Sequence, residues 1–243
     1  MTIVPPVFVA EYESSWSTTT TPKTVTPTIE PGDCLVIAGL CENISPDDPF
    51  LNTPTDDLGS PLTYTSRQTV SIPFGVYGYA RIWTAIVGAQ SGSFTLSMTQ
   101  GGGTKRWGFN CLRFRDVSAI GASSKANADV SSGGSTVSLT TQQANSAVVS
   151  FAINNQVDIS PPARTWRTVN SITPTSGNGL EKTYVNVSGF AAVYGAYWNN
   201  AGAAGANNYG LSSPGDQIYS IVALELKGID VPPGFGSGFF DGV

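Results

Sequence analysis

Apolar residues in this chain of 243 residues recur at every second position or in short unbroken runs. No segment keeps the three- and four-residue spacing of an amphipathic helix beyond two turns. Helix bundles and alternating α/β folds are therefore excluded, and strands must carry the core. Residues 7–13 (VFVAEYE) and 23–29 (KTVTPTI) read as extended pieces, and Glu30-Pro31-Gly32-Asp33 as a turn. Residues 34–41 are apolar on both faces, which predicts a central strand covered on both sides. Residues 92–99 alternate, with Phe94, Leu96 and Met98 pointing inward, and Val137 and Leu139 do the same within 136–140. Further strands are expected over 62–72, 77–87, 106–115, 148–153, 184–197 and 217–227. About ten to twelve strands separated by Gly, Pro, Asn and Ser turns predict an all-β fold, a β-sandwich. Strongly apolar first and last strands predict a jelly roll closed by pairing of its terminal strands, with one domain over 1–230. Residues 231–243 then form a Gly-rich extended arm whose Phe235, Phe239 and Phe240 are suited to docking on a neighbouring surface.

Histidine is absent, which removes Ser-His-Asp and Cys-His catalysis, imidazole bases and histidine zinc sites. The cysteines Cys34, Cys41 and Cys111 are odd in number and lack C-x-x-C spacing. Along a strand Cys34 and Cys41 would lie roughly 23 Å apart on opposite faces, so buried free thiols are expected. Charged residues are 12% of the chain, against about 25% in an average globular protein. Such a surface suits a protein that lives against neighbours. The net charge is −5, and Lys105, Arg106, Arg113 and Arg115 are the only local gathering of cations, so phosphate-backbone binding is not expected. No run approaches the roughly 20 apolar residues of a membrane helix, and Met1 to Pro6 do not read as a secretory leader. Membrane insertion is not expected, and the chain reads as made in a cytoplasm or exported by a route without such a leader.

Two loops attract attention. Asp47, Asp48, Asp56 and Asp57 supply carboxylates of the kind that hold Ca²⁺, without the D-x-D-x-D-G spacing that would make the case, so no metal is expected. As adjacent surface aspartates they are also poor candidates for a glycosidase pair. The stretch 194–209 (YGAYWNNAGAAGANNY) gathers Tyr194, Tyr197, Trp198 and Tyr209, which read as a strand end with a flexible loop, a protein interface, or a platform for stacking on sugars, the first two ahead of the third. No catalytic residue and no cofactor is expected.

The succession PGDCLVIAGLCE, DDLGSPLTYTS, YARIWTAIV, GSFTLSMT and CLRFRDV resembles a β-jelly-roll family of tailed-bacteriophage minor tail proteins, whose related modules occur in secreted bacterial β proteins. Gly32 and Asp33, Asp56 and Gly59, Trp83 and Ala85, and Phe94 to Thr99 carry the likeness, which spans about residues 30–155 and weakly 217–227. The resemblance implies a structural, non-enzymatic virion protein, in the tail rather than the head, assembled in the host cytoplasm. Its partners would be other virion subunits and copies of itself in a symmetric assembly, with a host-surface glycan as a further candidate. A head decoration protein and a carbohydrate-binding module are the alternatives.

Overall fold

A computed structural model of the chain describes residues 2–18, 21–43, 52–71, 77–101, 106–131, 134–155, 164–187, 191–215 and 217–232. The strands in chain order are β1 (Thr2–Val4), β2 (Val7–Glu13), β3 (Lys23–Val25), β4 (Thr28–Ile29), β5 (Cys34–Asn43), β6 (Thr55–Asp56), β7 (Thr65–Ser71), β8 (Tyr77–Ile86), β9 (Gly92–Ser93), β10 (Leu96–Met98) and β11 (Trp107–Arg115). They continue with β12 (Ala119–Ser131), β13 (Thr136–Thr140), β14 (Ala147–Asn155), β15 (Thr165–Trp166), β16 (Glu181–Val187), β17 (Ala191–Trp198), β18 (Ala206–Ser213), β19 (Gln217–Lys227) and β20 (Ile229–Val231). The fold is all-β and every pairing is antiparallel.

Divided at residues 116–118, the chain yields two halves of one connectivity. The first half forms a five-stranded sheet, β2-β11-β5-β8-β7, and a small sheet, β3-β10-β6. The second forms β12-β19-β14-β17-β16 and β13-β18-β15. In each, the first strand pairs with the last, the last with the strand that opens the long apolar segment, and so on across the sheet. Among the described residues the β4–β9 ladder of the first half has no counterpart in the second, and the β1–β20 ladder joins the two halves. The all-β sandwich that the sequence predicts is built from two five-stranded sheets facing each other, each with a small three-stranded sheet on its far side. The chain ends pair as β1 with β20, whereas 7–13 and 217–227 lie in different sheets.

The layers follow from the two-residue period of the strands. In β5, Cys34, Val36, Ala38 and Leu40 face one buried cluster, and Leu35, Ile37 and Cys41 face another. In β14, Ala147, Val149, Phe151 and Ile153 share the first cluster, while Val148 and Ala152 face a third. The first cluster lies between the two five-stranded sheets. The others lie between each five-stranded sheet and its own small sheet. Each central strand is therefore covered on both faces, as the unbroken run 34–41 predicts, at roughly 1.5–3 kcal/mol for each large apolar side chain buried.

The edges of the large sheets cross over one another. β7 meets β12, where Lys125 Nζ donates to Thr69 O at 2.8 Å and Gln68 Nε2 to Ser123 Oγ at 3.1 Å. β2 meets β16, where Thr183 Oγ1 donates to Glu11 Oε1 at 3.2 Å. The first strand of each half thus lies over the fifth large strand of the other, which is the reciprocal pattern of a two-fold interface. Sequence reading misses β12 because AIGASSKANADVS offers few apolar residues. As an edge strand it packs Ile120 on the central cluster and the small Ala122, Ala126 and Ala128, partly buried, on the outer one.

One register position shows how the halves diverge. Arg113 opposes Leu35, the second residue of β5, and Glu225 opposes Val148, the second residue of β14. Both fasten the turn before those strands to the last strand of their half. In the first half that turn is Glu30-Pro31-Gly32-Asp33, with Gly32 at φ +85° and Asp33 N–H donating to Glu30 O at 3.1 Å. The buried Asp33 carboxylate accepts from Arg113 Nε at 2.6 Å and from the Glu30 N–H at 2.6 Å. In the second half the buried Glu225 carboxylate accepts from the backbone N–H groups of Gln142 (2.9 Å), Gln143 (3.0 Å) and Ala122 (2.9 Å). Gly121 has to lack a side chain, because a Cβ there would stand 2.2 Å from Glu225 Oε2. Arg113→Ala and Glu225→Ala are each expected to cost about 3 kcal/mol, since each strands buried polar groups. Lying in separate halves, the two losses should add to within about 0.5 kcal/mol in urea unfolding. A loss below about 1 kcal/mol for either would refute its role as a clamp.

Candidate functional site

The aromatic stretch expected to be an interface or sugar platform is core. Tyr194, Trp198 and Tyr209 have no exposed surface and Tyr197 retains 8%. The physical reason is that 191–198 is a strand buried on both faces rather than a loop. Trp198 packs edge-on against Trp166 and Tyr209 at 5.8 and 5.1 Å, and its Nε1 donates to Arg167 O at 3.0 Å. Tyr197 faces the other way and closes a ring cluster with Phe8 and Phe114 across the junction of the halves. Phe235, Phe239 and Phe240 lie outside the described residues, as do Asp47 and Asp48. Asp56 accepts from the N–H of Leu58 and Leu62 and from the Tyr64 hydroxyl, and Asp57 accepts from Thr95 N–H at 2.7 Å. Asp56 thus closes its own turn, and Asp57 ties that turn to the segment of Thr95. Among the described residues no three His, Cys, Asp or Glu gather as a metal set.

The three cysteines are free and buried. Burial pushes the Cys34 thiol up to about 12 and also raises that of Cys111. Ellman's reagent at pH 8 should therefore find no thiol in the native protein and three per chain in guanidinium. Rapid labelling of the native chain would contradict this packing.

At the junction, Glu11 Oε1 accepts from Asn110 Nδ2 at 2.9 Å beside Thr183. Lys182 Nζ stands 3.4 Å over the Phe8 ring. Burial raises the Glu11 carboxyl above its ordinary value and lowers the Lys182 ammonium. The folded chain thus holds the Glu11 proton more tightly than the unfolded chain. This contribution to stability is complete below the ordinary value of 4.5 and is lost as pH rises through the folded-state value. Glu11→Gln should flatten that part of the pH–stability curve and raise the melting temperature at pH 7. An unchanged curve would show that Glu11 is not the titrating group.

Among the described residues, a polar recess lies on the outer side of the second half. Two clefts of about 570 and 410 Å³ meet along β15, sharing Thr165, Trp166 and Thr173. Thr168, Asn207, Asn208 and Ser212 line the larger one. Arg164, paired with Glu181 and lying 3.8 Å over the Tyr184 ring, bounds the smaller. One wall is the connection 167–180, fourteen residues long, where the first half has only the eight residues 57–64. It doubles back in a tight turn, Val169 and Ile172 exchanging N–H···O bonds of 3.0 and 2.9 Å around Asn170 and Ser171 at positive φ. The Asn178 side chain holds the following segment, accepting from Thr175 N–H and Leu180 N–H and donating to Thr173 O. Thr168 and Thr173 hydroxyls meet at 2.5 Å. The opposite wall comes from β18, whose outward residues include Asn208 and Ser212 while Tyr209 and Leu211 face the core.

Of the stretch 194–209, then, the amides Asn207 and Asn208 reach a recess and the aromatics do not. The partner segment 164–176 escapes sequence reading. Its signal is a density of Thr, Ser and Asn around one Trp, which polar loops share. Comparison with protein-family models, with curated proteins and with solved structures finds no match to this chain.

Proposed function

We propose that this chain is a structural virion protein of a tailed bacteriophage, a minor tail protein that assembles through contacts with other virion subunits and with copies of itself and contributes to attachment at the host surface. In this reading each half is a jelly-roll unit. Consecutive strands cross between the large sheet (β2, β5, β8, β11) and the small one (β3, β6, β10), with β7 beside β8, and the second half repeats the scheme. The observation that carries the reading is at the chain ends. Val4 and Ile229, paired in register, and nearby Val7 are exposed large apolar side chains. Residues 233–243, with Phe235, Phe239 and Phe240, follow β20 in sequence. Exposed apolar side chains and a Phe-rich sequence suit burial against a neighbouring subunit. The low content of charge agrees with a surface that is covered in assembly.

Mass spectrometry of particles from the phage encoding this chain, separated into heads and tails, tests the proposal. Recovery with tails is expected, and the joint variant F239A/F240A should cut incorporation at least about tenfold while the free protein melts as before. Recovery with heads would replace the tail assignment with a decoration role. Absence from both would overturn the virion reading, and full incorporation of the variant would overturn the docking arm.

A further inference from the structure

We propose that the paired clefts along β15 bind an uncharged, hydroxyl-rich oligosaccharide. The inference deepens the attachment part of the virion reading, and its test uses the isolated chain, so that either can fail without the other.

The lining decides the ligand class. Thr165, Thr168, Thr173, Asn207, Asn208 and Ser212 offer hydroxyls and amides, which both donate and accept hydrogen bonds. A pocket for an apolar small molecule would be walled by hydrophobic and aromatic side chains instead. Two cations border the clefts, and neither is free: Arg164 in the smaller is paired with Glu181, and Arg167 in the larger has interactions of its own, so no unmatched cation is on offer to a phosphate. Trp166 borders both clefts, while its ring packs in the core against Trp198.

The walls are held in place before any ligand arrives. The Val169–Ile172 turn and the Asn178 side chain fix one wall, and the Trp166–Trp198–Tyr209 stack lies beneath the floor. Preorganisation of this kind lowers the ordering cost of binding. The two clefts share three residues and run into each other, which suits several linked sugar units rather than one. The longer connection 167–180 exists only in the second half, so the two halves, alike in topology, are unlike in this site.

The experiment applies the purified full-length chain to an array of immobilised neutral and acidic glycans and follows hits by calorimetry. The variants are Asn208→Ala, Thr168→Ala and Thr165→Ala, each removing one polar group from the lining. Binding of at least one neutral oligosaccharide is expected, weakened about fivefold to tenfold by each variant, the loss of about one hydrogen bond. The melting temperatures of Asn208→Ala and Thr168→Ala should stay at the parental value, and Ser97→Ala in the first half should leave affinity unchanged. No binding to any neutral glycan, binding to acidic glycans alone, or binding untouched by all three variants would overturn the proposal.

Discussion

The structure depends on the burial of one five-stranded sheet against another. Cys34, Val36, Ala38 and Leu40 from the first half meet Val149, Phe151, Val193 and Val222 from the second in a single cluster. Neither sheet could present that face to water, so each half needs the other as a lid. The small outer sheets perform the same service on the far sides, with Trp83 and Trp107 filling one space and Trp166 and Trp198 the other. Four layers result, and the central strands lose water on both faces. Ser150, buried among them, directs its hydroxyl to Val222 O at 3.1 Å, so its polarity is satisfied within the sheet.

The two halves show which parts of such a scaffold are fixed and which are free. Pairing order is shared throughout the large and small sheets. The clamp between the last strand and the preceding turn is also shared in place, yet its chemistry is exchanged. An arginine reaches an aspartate in one half, and a glutamate receives backbone N–H groups in the other. What the position demands is a long polar side chain that can satisfy a buried turn, and either sign of charge can meet that demand given complementary partners. Such exchanges remove the similarity in sequence that would have betrayed the repeat.

Freedom lies in the connections. Residues 57–64 close on themselves through Asp56, which takes hydrogen bonds from Leu58, Leu62 and Tyr64. Residues 167–180, longer and braced by Asn178, stand out to make a wall. A rigid sheet pair that carries one variable loop is the usual way in which a β scaffold acquires a binding surface. The same scaffold leaves apolar Val4 and Ile229 exposed where its ends meet, so assembly and ligand capture would occupy separate regions of the molecule.

The sequence by itself determined the strand character, the central place of 34–41, the inward set Phe94, Leu96 and Met98, and the free buried thiols. Each of these follows from residue spacing and from the chemistry of one segment. It left undecided how strands some hundred residues apart pair, so the division into two matched halves and the β1–β20 closure came only with tertiary structure. It also left open the setting of the aromatic stretch 194–209. An aromatic-rich stretch reads the same whether its rings face solvent or core, and the packing of β17 between two layers put Tyr194 and Trp198 inside. The cleft joins 164–176 to Asn207, Asn208 and Ser212, residues separated along the chain and ordinary one by one. Only the pairing of β15 with β18 gathers them, because a site made of weak polar groups is defined by their convergence and not by any residue among them.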